Sequence, residues 1–159
     1  MTSEKITMPL ALDKDGFLRR ECPNCERQFK VLPGESNTNE ISVSAYSCPY
    51  CVENAAADSW WTKEQLEYAT KYASAKIVEP KLDKFAKDIK RLNKPAGFVR
   101  FDVKHQTQSL PNTLQEPNDM RKITLPCHPN EPLKIYEGWK GPVACLICGE
   151  LFDQTAVDK

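Results

Sequence analysis

Strand-like and helix-like patterning divides the chain into three parts. Phe17-Leu18-Arg19-Arg20-Glu21 and Gln28-Phe29-Lys30-Val31-Leu32 flank a short turn, and Pro33-Gly34 closes the second stretch, which predicts a strand, a knuckle and a strand. Ile41 to Ser47 alternates apolar with small polar residues at the strand period. From Trp60 the composition changes to helix formers, with Thr62 and Gln65 at the spacing of a capping box. Leu66, Ala69, Ala73 and Ile77, with Tyr72 beside them, recur every three to four residues, and Leu82, Phe85, Ala86, Ile89 and Leu92 continue that amphipathic pattern. Pro80 lacks a backbone donor and disfavours helical geometry at Glu79, so a kink or a break into two helices is expected there. Pro95 and Gly97 end the element.

Beyond it, Phe98 to Lys104 sets Val99, Phe101 and Val103 against Arg100, Asp102 and Lys104, the pattern of a half-buried strand. Gln106 to Met120 holds Pro111, Asn112 and Pro117 and little apolar content, and reads as a loop. The last part repeats the plan of the first. Ile123-Thr124-Leu125 leads to Cys127-His128, Leu133-Lys134-Ile135-Tyr136 follows, and Gly141-Pro142-Val143-Ala144 enters Cys145-Leu146-Ile147-Cys148. Phe29-Lys30-Val31 and Leu133-Lys134-Ile135 are alike, each lying just beyond a cysteine turn, which suggests two related units. The expected fold is α+β: small β units at 14–58 and 97–153, joined by a long, Pro-interrupted helical element at 60–94.

Seven cysteines in 18.1 kDa narrow the chemistry. Met1-Thr2-Ser3-Glu4-Lys5 contains no apolar run of a secretory signal, so a cytoplasmic protein is expected, and with it metal binding rather than disulfides. No stretch approaches the roughly 18 apolar residues of a membrane span. Cys22-x2-Cys25 and Cys48-x2-Cys51 form two matched knuckles, and a tetrahedral zinc ion takes four such ligands. In the last part Cys145-x2-Cys148 is a knuckle, whereas its partner supplies only Cys127, with Asn130 where a second cysteine would stand. His128 is the substitute, giving Cys127, His128, Cys145 and Cys148 as a second set. Two zinc ions are expected, or one if His128 does not bind. His105 follows a strand-like stretch with no ligand-spaced neighbour and is assigned no role.

Residues 16 to 51 resemble the zinc-ribbon proteins, and residues 121 to 152 resemble them more weakly. The resemblance implies that two knuckles at the tips of neighbouring hairpins hold one structural zinc closed to substrate. The chain departs from that family where a glycine often follows the second knuckle cysteine. Glu26 and Val52 stand there, which predicts a weaker turn.

Basic and acidic residues balance at 22 each, and two zinc-thiolate sites would bring the charge to about −3. A globally basic nucleic-acid binder is thereby disfavoured. The charge is uneven, however: residues 61 to 94 carry nine basic and five acidic groups between acidic flanks. Lys81, Lys84, Lys87, Lys90, Arg91 and Lys94 put a basic face on the helix, with Lys84, Lys87 and Arg91 as candidate nucleic-acid contacts. Trp60 and Trp61, with Tyr68 and Tyr72, are candidate anchors for a protein partner.

Two enzymatic readings are weaker. Cys48-Pro49-Tyr50-Cys51 is identical to the redox motif of glutaredoxins, but a matched knuckle lies upstream and that family's Gly-Gly turn has no counterpart. Hydrolytic zinc would require His128 to leave the second set open beside Glu131. The expectation is therefore a non-enzymatic zinc protein acting as a protein-interaction or adaptor module, with nucleic-acid binding as the alternative and no membrane association.

Overall fold

The computed structural model describes residues 7–34, 45–92 and 108–157. The strand expected at 98–104, His105, Lys94 and the first half of the 41–47 strand lie outside them. The chain divides into two compact units.

The first comprises residues 10–63 and 114–159 and holds the strands among the described residues. They are β1 (Leu18–Glu21), β2 (Gln28–Val31), β3 (Ala45–Ser47), β4 (Asn54–Ala56), β5 (Met120–Ile123), β6 (Leu133–Tyr136), β7 (Val143–Ala144) and β8 (Leu151–Phe152). Each consecutive pair is an antiparallel hairpin closed over one of the cysteine turns. Sequence reading separates 14–58 from 97–153, yet β2 also pairs with β6, so a four-stranded sheet runs β1-β2-β6-β5. The two β segments share one core. Phe29 and Trp60 from the first segment lie in one buried cluster with Ile123, Leu125, Leu133, Ile135 and Val143 from the second. Burying both apolar faces against each other removes more surface from water than either segment could alone.

The smaller hairpins are joined in the same way. The N–H of Ser47 bonds the carbonyl of Leu146 at 2.8 Å, and the N–H of Ala144 bonds the carbonyl of Pro49 at 2.9 Å. Equivalent positions of the two hairpins thus exchange a reciprocal pair of bonds.

The second unit comprises residues 64–113 with 1–9 and carries the long helical element from that element's second residue on. Helix α1 (Lys63–Ala73) starts one residue after Thr62, at the position the capping-box spacing marks. Instead of a break at Pro80, a π-helical segment (Ser74–Val78) leads directly into α2 (Glu79–Leu92). The N–H of Glu79 bonds Ser74 five residues back, and Glu79 itself is helical (φ −55°, ψ −50°) despite preceding a proline. The wider π turn lets the chain continue where the proline ring would crowd an ordinary turn.

Part of the apolar stripe of this helical element is exposed, while Ala69, Tyr72, Ala73, Ile77, Ala86 and Ile89 are half-buried. In α1 the buried side chains are Gln65 and Tyr68, while Leu66 is 52% exposed. In α2, Leu82, Phe85 and Leu92 are all exposed. Residues 108–119 form no regular element, as their prolines predict.

Candidate metal centres

Three of the four cysteine turns have the same backbone. In each, the first cysteine's carbonyl accepts the N–H four residues on: Glu26 to Cys22, Val52 to Cys48 and Gly149 to Cys145, at 2.9, 3.0 and 2.9 Å. The first cysteine's own N–H bonds the carbonyl five residues on, from Arg27, Glu53 and Glu150. This geometry requires a left-handed residue after the second cysteine, and φ is 58° at Glu26, 66° at Val52 and 72° at Gly149. The turn expected to weaken without glycine therefore keeps its form. A left-handed residue that carries a Cβ costs about 1–2 kcal/mol, and a β-branched one such as Val52 is an outlier.

These turns bring together all eight predicted ligand residues in two groups of four. Within each group the Sγ or ring nitrogen atoms lie within 4.8 Å of one another. In the first, Cys22 Sγ stands 3.7 Å from Cys51 Sγ and Cys25 Sγ 3.8 Å from Cys48 Sγ. A tetrahedron with Zn–S bonds of about 2.3 Å has edges of about 3.8 Å, whereas a disulfide would bring two sulfurs to about 2.05 Å. In the second group Cys148 Sγ is 3.6 Å from Cys127 Sγ, and Cys145 Sγ is 3.3 Å from Nδ1 of His128, where the mixed edge would be about 3.5 Å. Both groups are compatible with zinc sites.

The fourth corner, at Cys127-His128, is not a knuckle. There the N–H of His128 bonds Leu125 and the N–H of Glu131 bonds His128, so the chain turns twice in short succession. That double turn lets adjacent residues face one point.

The surroundings prepare unequal thiols. Burial pushes the Cys48 and Cys25 thiols up. Burial also acts on Cys51, but the N–H of Glu53, the Asn24 amide and the neighbouring thiols outweigh it and bring Cys51 down to about 7. Asn24 Nδ2 approaches Cys51 Sγ at 3.8 Å, a contact with no signal in the sequence. Burial and the two other thiols of its group push Cys127 up to about 12, while the N–H of Glu150 lowers Cys148. Four thiolates cannot gather without a compensating cation.

The groups differ in access. In the first, Cys22 and Cys48 are buried and the other two half-buried; in the second, Cys145 is buried, Cys127 and His128 are half-buried and Cys148 is exposed.

Tyr50, inside the glutaredoxin-like motif, has a structural place. Its hydroxyl donates to the carbonyl of Gln28 at 2.7 Å and accepts the N–H of Tyr136 at 3.0 Å, linking β2 to β6. Cys51 leads into β4 rather than a helix, so the motif is not followed by a helix N-terminus.

The two candidate partner-binding tryptophans are not free at the surface. Trp60 is 2% exposed and packs edge-on against Phe29 at 5.6 Å, so it is a core residue and not a free anchor. Trp61 is half-buried beneath the Arg20 guanidinium, 4.7 Å from the ring. Lys84, Lys87 and Arg91 are exposed on α2. An aromatic surface that the sequence did not reveal lies where β2 meets β6. Tyr50, Tyr136 and Trp139, with Arg19 and Arg27, line an open depression of about 590 Å³.

No helix among the described residues is long and apolar enough to cross a membrane. Compared with family models, curated proteins and solved structures, the chain matches none of them.

Proposed function

We propose that this is a non-enzymatic zinc protein: two structural zinc ions, one held by Cys22, Cys25, Cys48 and Cys51 and one by Cys127, His128, Cys145 and Cys148, stabilise a protein-interaction or adaptor module. The observation that carries this reading is the two groups of four donors at near-tetrahedral edges. Four protein donors fill the coordination of zinc, which leaves no position for a reacting water. The zinc-ribbon resemblance agrees with this closed, structural use.

The adaptor half of the reading is supported by the depression at the β2–β6 junction. Tyr136 is 62% exposed, Trp139 half-buried, and the Arg27 guanidinium sits 5.0 Å over the Trp139 ring. Tyrosine, tryptophan and arginine are the residues that most often anchor protein interfaces. Binding of nucleic acid through Lys84, Lys87 and Arg91 remains the second reading, favoured by the exposure of all three.

Elemental analysis of protein purified without chelator is expected to give close to two zinc ions per chain. Cys25→Ser and Cys48→Ser should each remove one ion and destabilise the fold alike, because each deletes one of the same four ligands. Metal-free protein, or a mild Cys25→Ser variant with disulfide-reducing turnover in the wild type, would overturn the proposal. Loss of DNA or RNA binding on neutralising Lys84, Lys87 and Arg91 together, with a flatter salt dependence, would favour the second reading.

A further inference from the structure

Helix α2 presents an apolar stripe to solvent. Leu82, Phe85, Ile89 and Leu92 follow one another at spacings of three, four and three, the a/d spacing of a coiled-coil seam, and Val78 precedes them by four. Leu82 is 39% exposed, Phe85 55% and Leu92 72%, with Val78 at 45% and Ile89 half-buried. Exposed apolar residues scattered singly carry no message, but a continuous stripe marks an interaction site.

The charges beside the stripe indicate what covers it. Along one edge, at the position flanking each a-type residue, stand Lys81 and, two turns on, Asp88. Among the described residues Asp88 meets Arg91 at 4.0 Å, a contact too long to satisfy the carboxylate, and Asp88 is 54% exposed. A second α2 laid antiparallel brings this edge against itself. With Leu82 opposite Phe85 and Val78 opposite Ile89, Lys81 of each helix falls two residues, about 3 Å along the axis, from level with Asp88 of the other, within reach of the long lysine side chain. One register therefore closes the apolar layers and forms two opposite-charge pairs related by a two-fold axis. An anionic membrane is a poorer match, because a helix lying in a lipid surface carries cations along its boundary, and here Asp88 stands on it.

We infer that α2 is a self-association surface, and that its occupant is α2 of a second copy of this chain, packed antiparallel about a two-fold axis. A pair of 14-residue helices buries less surface than a standard interface, so the association should be weak, with dissociation in the micromolar range or above. Metal binding plays no part in it. Failure of this inference would leave the zinc reading untouched.

Sedimentation equilibrium of the zinc-loaded full chain, from about 1 to several hundred micromolar, tests it. A monomer–dimer equilibrium is expected. Phe85→Glu should abolish it, and because Phe85 is exposed the variant should keep its zinc and its melting temperature. Lys81→Asp alone should weaken the dimer about tenfold by turning both pairs repulsive, as should Asp88→Lys alone, and the double exchange should restore it. A chain that stays monomeric throughout, a dimer indifferent to Phe85→Glu, or single reversals that the double exchange fails to rescue would each overturn the inference. So would a monomer that binds vesicles of phosphatidylcholine with one third phosphatidylglycerol through the same stripe.

Discussion

Lys30 and Lys134 stand directly opposite each other across β2 and β6, fully buried, and both ammonium groups reach the same oxygen, Asp13 Oδ2, at 3.3 and 2.8 Å. Two cations on facing positions would repel; the carboxylate between them turns the repulsion into a bridge. The rest of the site leaves little unsatisfied. Asp13 Oδ1 accepts the N–H groups of Asp15 and Phe17, Lys134 also reaches Asp15 and Asn118, and Lys30 reaches Glu116, Asp119 and the carbonyl of Pro117. The segments before β1 and β5 are thereby tied to the centre of the sheet.

This arrangement makes a pH prediction. Burial alone would raise the Asp13 carboxyl, but Lys134, the two N–H groups and Lys30 hold it at about 2, against an ordinary value of 3.8. Its contribution, about 2 kcal/mol, is complete at neutral pH and is lost as the pH falls from about 5 towards 2. Asp13→Asn leaves two buried cations without their shared anion and should cost about 3 kcal/mol at pH 7. Urea unfolding at pH 7 and pH 4 should show the variant less stable and its decline towards acid shallower. Acid also displaces zinc from thiolates in both proteins, so the difference between them is the measurement; parallel declines would disprove the role given to Asp13.

Backbone strain at the knuckles should be separable from ligation. Val52→Gly relieves a β-branched residue at φ 66° and should raise stability by up to about 1 kcal/mol with zinc content unchanged. The reverse change, Gly149→Val, places a side chain at φ 72° with its Cβ 3.2 Å from Ser47 Oγ and should cost about 2 kcal/mol or more. Thermal melts of the two variants moving in the same direction would contradict this account.

Unequal access predicts an order of metal loss. With Cys148 exposed and His128 half-buried, the second centre should yield its ion to a chelator first. Zinc release followed with a chromogenic chelator should show two phases of about one ion each, and Cys145→Ser should delete the fast one. A single phase releasing both ions would refute the assignment.

Tyr50 offers a test of structural against redox use of its motif. Tyr50→Phe removes a hydroxyl that bonds both β2 and β6, at an expected cost of about 1–3 kcal/mol. Both zinc ions should stay bound. A variant of unchanged melting temperature would mean that the bridge contributes nothing.

The sequence and the structure agree best where chemistry fixes spacing. The x2 intervals place the knuckles, and the stretches around Phe29 and Ile135 just beyond them read as strands, as β2 and β6 are. Nothing in the sequence marks Lys30 and Lys134 as buried, because Asp13, the carboxylate that serves both, lies 121 positions from Lys134. The pairing of β2 with β6 is similarly non-local. The helical periodicity was visible, but periodicity cannot say whether an apolar face meets its own chain or another. Left-handed residues at Glu26 and Val52 escape any rule based on glycine, since the cysteines and the turn's hydrogen bonds impose the conformation.

For the four-stranded sheet, the 64–113 part of the second compact unit is an insertion between β2 and β5. Loop closure grows more costly only slowly with length, about 0.6 kcal/mol for each doubling, so that connection can be lengthened with little effect on the sheet. Its role there is to keep two halves at a high effective concentration of one another. In this sense the β2–β6 seam is a heterodimer interface written into a single chain, and severing the connection would turn an intramolecular fold into an assembly whose completeness depends on how much protein is present.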